Sequence, residues 1–394
     1  MSSQDIVSRS DRHLMATYLR APVAFVRGEG AHLWDAEGKE YIDLFACLAV
    51  TNLGHAPRAV AEAIHAQTAK LFHVSNLHYC EPQARLVELL CEHSFADRVF
   101  LCNSGAEANE CAIKLARRWG HANGGKRFEV VSALGSFHGR TLATLTATGQ
   151  EKVRVGFQPL PDGFRYVPYD DLAALDRALG DTTAALLLEP ILGEGGVVVP
   201  SPEYLTGARK LCDERGILLM FDEIQVGMGR TGTLWAYEQL GVVPDVMTLA
   251  KALASGIPIG ACLAREDVAA AFAPGAHGST FGGNAVAAAA AVKTLEIMTA
   301  PDFLPGVRKR ADHFRAGLDR IAARSPKVKA VRGRGFIQGL QLTEPGAAIV
   351  ATCLARGVLL NCTADTVLRL LPPLVITERD IDQALAIVEE VLCP

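Results

Sequence analysis

Two residues far apart in the chain carry the strongest chemical signals. Asp222 ends the apolar run Ile217–Phe221 and is followed by Glu223, Ile224 and Gln225. A carboxylate at the buried end of a central strand is costly unless something pairs with it. A protonated ring nitrogen would be such a partner. Lys251 follows the apolar stretch Val246–Ala250 and precedes Gly256. A lysine in an apolar setting holds its proton less firmly, and its neutral amine can condense with an aldehyde. Taken singly, a solvated helical lysine is the commoner outcome.

Two loop segments add to this pair. Asn103-Ser104-Gly105-Ala106-Glu107-Ala108-Asn109 follows the run Arg98–Cys102 and opens a helical pattern over Ala106–Trp119. Ser104 can cap that helix, Gly105 allows close backbone approach, and the first-turn N–H groups suit a phosphate. By itself this is equally an ordinary helix start. Gly135-Ser136-Phe137-His138-Gly139-Arg140-Thr141 lies past the run Phe128–Ala133. An aromatic there can stack on a flat ring, and Arg140 can grip a carboxylate. A packing phenylalanine and a surface arginine explain that segment as well when it stands alone. Together, a phosphate cradle, a stacking aromatic, a carboxylate for a ring nitrogen and an amine for an aldehyde are what pyridoxal 5'-phosphate requires.

Positioning such groups takes strands that end on one side. The runs Arg98–Cys102, Phe128–Ala133, Thr183–Glu189, Ile217–Asp222 and Ala261–Arg265 are apolar and separated by helical patterns. That alternation predicts an α/β fold with a mainly parallel sheet covered by helices, its ligand beyond the carboxyl ends of the strands. One crossover helix is spelled out. Ser201 stands at the N-cap, Pro202 at the first helical position and Gly216 past the end, with Tyr204, Leu205, Ala208, Leu211 and Cys212 on one face. The reading divides the chain into three parts: an N-terminal segment 1–60, a large cofactor-binding domain 61–295 and a smaller α+β domain 296–394. The first part holds strands at Val23–Val26 and His32–Leu44 with a turn at Glu37-Gly38, and is expected beside the last. The last holds Val331–Gly335, Ile337–Leu342 and Val367–Leu371.

Composition removes several functions. The 394 residues are 49% hydrophobic and 21% charged, as in an ordinary folded protein. Lys+Arg number 39 against 43 Asp+Glu, and with no basic block no nucleic-acid partner is expected. The longest apolar run, Ala285–Val292, is far short of the roughly 20 residues of a membrane span. The opening MSSQDIVSRSDRHL lacks the apolar centre of a secretory signal, so a cytoplasmic location is expected. None of the ten cysteines is spaced C-x-x-C, which points to reduced thiols. Gly120–Lys126 imitates a phosphate loop, but Arg127 stands where serine or threonine is needed and a helix precedes it. No histidine pair with a carboxylate on a helix suggests a metal.

The longer motifs carry a family resemblance. The stretches AFVRGEGAHLWDAEGKEYIDL, NSGAEANE, SFHGRTLATLTATGQEK, LLLEPILGEGG, FDEIQVGMGRTG, DVMTLAKALASGIPIGA, HGSTFGGN and LRLLPPL resemble class III aminotransferases of pyridoxal-phosphate fold type I. The similarity runs from about Pro22 to Val391. It implies a homodimer with shared sites and a transaminase acting on the δ-amine of N-acetylornithine. The amino group goes to 2-oxoglutarate, giving N-acetylglutamate 5-semialdehyde and glutamate in arginine biosynthesis. Lys251 is implied to hold the cofactor and move the proton, and Asp222 to face the ring nitrogen. Gln225 would meet the ring hydroxyl, and Phe137 would stack on the ring with His138 beside it. Ser104, Gly105 and Ala106 would hold the phosphate, Glu223 and Ile224 would flank the ring site, and Thr280 would reach the neighbouring subunit's phosphate. Arg140, Glu194, Ser279 and Arg369 are implied on the substrate side. Succinylornithine, ornithine or 4-aminobutyrate are alternative amines, and a racemase or aminomutase an alternative reaction. Glu194 with Arg369 disfavours the latter, because those reactions need no dicarboxylate. Leu48 stands where ornithine-specific relatives carry an aromatic, which weakens the case for free ornithine.

Overall fold

The structure is a computed structural model and describes residues 1–393. Near the N-terminus, β1 (Phe25–Glu29), β2 (His32–Asp35) and β3 (Glu40–Asp43) form an antiparallel ladder around the turn at Glu37-Gly38. The strand expected at Val23–Val26 starts instead at Phe25, and the single stretch His32–Leu44 is two strands.

The centre is a seven-stranded sheet. Its strands are β4 (Arg98–Cys102), β5 (Glu129–Ala133), β6 (Phe164–Val167), β7 (Thr183–Leu188), β8 (Leu218–Asp222), β9 (Val246–Leu249) and β10 (Gly260–Ala264). They lie in the order β4-β10-β9-β8-β7-β5-β6. Only β10 runs antiparallel to its neighbours, so β4, β5, β7, β8 and β9 end on one side. Every residue of β7, β8, β9 and β10 is buried, as continuous apolar strands covered on both faces must be. Truncating Leu187 to Ala in that layer would cost about 2–5 kcal/mol.

The covering helices follow from sequence. The helix Gly105–Ala122 lays Ala108, Cys111, Ala112, Leu115 and Ala116 on the sheet. It begins one residue before and ends three residues after the span the apolar pattern marked, since polar turns at either end add no periodicity. The crossover helix Pro202–Arg215 has its bounds as read, with Gly216 left-handed at φ 59°. Ser201 does not cap it through its side chain; its hydroxyl donates to Asp170 Oδ1 at 2.6 Å.

Downstream, β11 (Val328–Arg334), β12 (Ile337–Leu342), β14 (Asn361–Thr363) and β15 (Val367–Leu370) form an antiparallel sheet in the order β11-β12-β15-β14. The short β13 (Val358–Leu359) leaves that sheet and pairs in parallel with β3, so the N-terminal ladder is completed from the far end of the chain. Among the described residues, no helix is long and apolar enough to cross a membrane. All ten cysteines are free.

Candidate active site

The strand ends β4, β5, β7, β8 and β9 surround a cavity of about 440 Å³. Ser104, Gly105, Ala106, Phe137, His138, Arg140, Glu189, Glu194, Asp222, Ile224, Gln225 and Lys251 line it. Residues spread over more than a hundred positions thus meet because consecutive strands end on one face.

At the mouth of β4, Ser104 is the N-cap and its Oγ accepts the Glu107 N–H at 3.2 Å. Glu107 folds back and accepts the Asn103 N–H at 2.9 Å. Gly105 and Ala106 then present first-turn N–H groups that the helix cannot satisfy itself, a setting suited to a phosphate. The absence of a side chain at Gly105 is required, since a Cβ would lie 2.8 Å from Ile224 Cδ1.

Asp222 is the most completely bonded group in the site. Its Oδ2 accepts from Asn109 Nδ2 at 2.7 Å and faces His138 Nδ1 at 2.8 Å, and its Oδ1 accepts the Ile224 N–H at 3.1 Å. Asn109 is fixed in turn: its Oδ1 accepts from Thr248 Oγ1 at 2.7 Å and its Nδ2 also donates to the His138 carbonyl at 2.8 Å. His138 Nε2 is buried without a protein partner among the described residues.

Lys251 follows β9 in a left-handed conformation, φ 44°. That conformation costs a residue with a side chain about 1–2 kcal/mol, and such strain collects at functional sites. Burial, with the Arg369 charge adding to it, lowers the pKa of the Lys251 ammonium; Glu194, Asp222 and Glu189 oppose the shift. An amine so held is neutral more often than an exposed one.

On the other wall, Arg369 is fully buried in β15. Its Nη1 donates to Glu194 Oε1 at 2.7 Å and to Gln225 Oε1 at 3.1 Å, and its Nε to Asn361 Oδ1 at 3.2 Å. Burial raises the Glu194 carboxyl, but the Arg369 charge and hydrogen bond win and hold it below its ordinary value. Arg140 is exposed, with its guanidinium 5.5 Å from the centre of the Phe137 ring.

The other expected site residues stand in different relations to the cavity. Glu223 turns away from the cavity: its carboxylate accepts the Ala236 and Tyr237 N–H groups at 2.7 and 2.8 Å, closing the start of the helix Ala236–Leu240. Strand alternation explains this, because neighbours of Asp222 point to the opposite face. Arg369 does not reach the cavity wall; Glu194 and Gln225 stand between. Gln225 lines the cavity, yet its amide is engaged with Glu194 and Arg369. Ser279 accepts from Asn103 Nδ2 at 3.1 Å, and Ser279 and Thr280 border a separate hollow of about 1010 Å³ with Leu77, Tyr79 and His277. Four groups went unnoticed in the sequence: Asn109, Thr248, Glu107 and Glu189. A polar residue in an apolar stripe was the available signal for the first two.

Comparison with known proteins agrees with this geometry. The class-III aminotransferase family model matches residues 15–392. The chain is 48% identical over 389 residues to the acetylornithine aminotransferase of Caldanaerobacter subterraneus subsp. tengcongensis, covering 98% of this chain and 99% of that protein. Among solved structures, the ornithine aminotransferase of Toxoplasma gondii, whose active site holds PLP at partial occupancy, superimposes with a TM-score of 0.96 at 33% identity, over 99% of this chain and 94% of that one. The N-acetylornithine aminotransferase of Stenotrophomonas maltophilia gives 0.84 at 38% identity, over 98% of each chain. The chain belongs to the class-III aminotransferases and is a pyridoxal-phosphate-dependent transaminase. The residues present fit that cofactor: an anion cradle at Gly105, a bonded carboxylate at Asp222, the orphaned His138 Nε2, and a lysine of lowered pKa share one cavity.

Proposed function

We propose that the enzyme transfers the δ-amino group of N-acetylornithine to 2-oxoglutarate, forming N-acetylglutamate 5-semialdehyde and glutamate for arginine biosynthesis. One observation carries this reading: two arginines serve the cavity, Arg140 exposed at its edge and Arg369 buried behind Glu194. Glutamate brings two carboxylates and N-acetylornithine one. In glutamate the reacting amine is next to a carboxylate, whereas in N-acetylornithine the carboxylate is distal. Arg140 takes the distal carboxylate of either substrate. Arg369 takes the α-carboxylate of glutamate and is otherwise neutralised by Glu194.

When bound, pyridoxal phosphate supplies an aldehyde carbon for the amino group and a ring that withdraws electrons. Gly105 and Ala106 would hold its phosphate through backbone N–H groups, with Ser104, whose hydroxyl is bonded to Glu107, beside them. Phe137 and Ile224 would pack against its ring, and Gln225 would serve the ring hydroxyl on leaving its contacts with Glu194 and Arg369. Asp222 would face the ring nitrogen, with His138 and Asn109 fixing the orientation of its carboxylate. Lys251 Nζ would accept the proton from the substrate carbon bearing the amine and release it on the far side of the amine nitrogen, as base and then acid. Water is kept out by Val50, Ile257 and Ile259, which line the same cavity.

The active unit in this reading is a cytoplasmic homodimer, with Ser279 and Thr280 of each subunit offered to the other's phosphate site. Exposed Leu77 and Tyr79 beside Thr280 support a covered face there. Residues 61–295 are the cofactor-binding domain in this reading, and the N-terminal segment 1–60 packs with the small domain 296–394.

A panel of amino donors with 2-oxoglutarate tests the proposal. N-Acetylornithine should give the highest kcat/KM, with free ornithine, 4-aminobutyrate and succinylornithine below it. A higher value for any of those three would replace the assigned donor.

A further inference from the structure

Glu189 has no place in the chemistry above, yet it lines the cavity and is buried. It directly follows β7, and the hydroxyl of Tyr169 fixes its carbonyl at 2.8 Å. Both carboxylate oxygens are used. Oε1 accepts the Phe137 N–H at 2.8 Å, and Oε2 accepts the Gly193 N–H at 3.0 Å. One carboxylate therefore bridges the turn that carries the stacking aromatic and the turn that carries Glu194.

The second turn is under opposing forces. Arg369 pulls on Glu194 across a 2.7 Å ion pair. Gly193 already sits hard against Gln225, where a Cβ would lie 2.0 Å from Oε1, so the turn has little room. Glu189 holds the N–H of Gly193 and resists the pull. Without that hold Glu194 would be fixed by its pair with Arg369 and by the Thr363 hydroxyl on its carbonyl, and would cap the arginine more persistently.

We propose that Glu189 is a positioning residue for dicarboxylate selectivity: by anchoring Gly193 it keeps Glu194 releasable, so that Arg369 becomes available to a dicarboxylate substrate. This rests on the two-arginine reading above and deepens it. Charged and titratable groups around Glu189 are His138, Asp222, Lys251 and Tyr169. None of them is hydrogen-bonded to its carboxylate among the described residues, so the two backbone N–H groups are its anchors. Burial pushes the Glu189 carboxyl up to about 7, with Asp222 adding and His138 opposing.

The test uses glutarate, a five-carbon dicarboxylate that cannot react, titrated calorimetrically into the holoenzyme, alongside the KM for N-acetylornithine. Glu189→Gln places an NH2 group against one of the two N–H donors. It should weaken glutarate roughly tenfold and leave the N-acetylornithine KM within about twofold. In a Glu194→Gln background, where no carboxylate caps Arg369, the same change should alter glutarate binding less than about twofold. Glu189→Asp, which keeps the charge but loses reach, should repeat the selective loss, and it stands in if the Gln variant melts early. Equal losses for glutarate and the amino donor would overturn the proposal. So would an undiminished loss in the Glu194→Gln background. Wild-type enzyme that binds glutarate but turns over some other donor would change the donor assignment and leave this inference intact.

Discussion

The two ends of the cavity are built on opposite principles. At the β8 end, both oxygens of Asp222 and the polar atoms of Asn109 all have partners between 2.7 and 3.1 Å. At the β15 end, Arg369 Nη2 is buried with no partner among the described residues, and Gln225 reaches Glu194 only at 3.4 Å. The Glu194 side chain also keeps 27% of its surface exposed. Apart from His138 Nε2, which has no partner among the described residues, the Asp222 network is saturated and therefore rigid, because every displacement breaks a bond that water cannot replace. A half-satisfied ion pair with solvent access has an alternative arrangement close in energy. The first suits a cofactor that stays put through both half-reactions. The second suits substrates that differ by one carboxylate.

The largest effect falls where the two ends meet. In the proposed mechanism Lys251 carries the proton in both half-reactions, so Lys251→Ala should lower turnover by about 10⁴-fold, the upper end for loss of a general acid–base. Steady-state assay with N-acetylornithine and 2-oxoglutarate measures it; a residual rate above a hundredth of wild type would mean that another residue moves the proton.

Breaking the adaptable end should separate the substrates. Arg369→Ala removes one member of a buried charge pair, worth about 2–5 kcal/mol. That loss should appear in the glutamate half-reaction and be small in the N-acetylornithine one. Stopped-flow measurement of each half-reaction decides it, and equal losses would remove the contrast between the two ends.

Breaking the rigid end should do the reverse. Asn109→Ala deprives Asp222 of a 2.7 Å donor and leaves Thr248 unpaired. A lost buried hydrogen bond of this kind costs about 1–3 kcal/mol. The rate should fall by roughly ten- to a hundredfold for both substrates alike, with their KM ratio unchanged. A shift in that ratio would show that the Asp222 network also reads the substrate.

These ends were unequally legible in the sequence. Asp222 and Lys251 stand out because a charge at the end of an apolar strand breaks the pattern. Arg369 and Glu194 entered only through the family resemblance, and it gave their pairing but not that Gln225 shares it. Asn109 is 113 residues from Asp222, and Thr248 is 139 from Asn109. No local rule links such positions; sheet order does, and sheet order was not readable from the runs themselves. Glu189 ends an apolar strand as Asp222 does, and the same signal passed unused. Glu223 too entered through the resemblance, and the alternation of strand side chains sends it to the other face. The sheet itself was legible because its strands are apolar throughout, whereas β1 and the two-residue β13 are set by tertiary pairing rather than by composition.

The smallest effect on rate, and the sharpest separation of fold from chemistry, belongs to Glu223. Its carboxylate is buried against the Ala236 and Tyr237 N–H groups, beside Asp222 yet outside the cavity. Burial pushes its carboxyl up from 4.5 to about 8; the two N–H groups oppose the shift, and Glu238 and Asp222 add to it. A raised carboxyl binds its proton more tightly in the folded chain than in the unfolded one. Its contribution to stability is therefore whole below about pH 4.5, falls as pH rises, and is lost above about pH 8. Glu223→Gln is uncharged throughout and lacks this decline. Between pH 5 and 8 the variant's melting temperature should fall less than that of the wild type, while kcat stays within about twofold, since no atom of Glu223 lines the site. Melting curves across that range provide the check. A wild-type protein that gains stability relative to the variant as pH rises would mean that the two N–H groups outweigh burial and that this carboxylate is folded in its charged form.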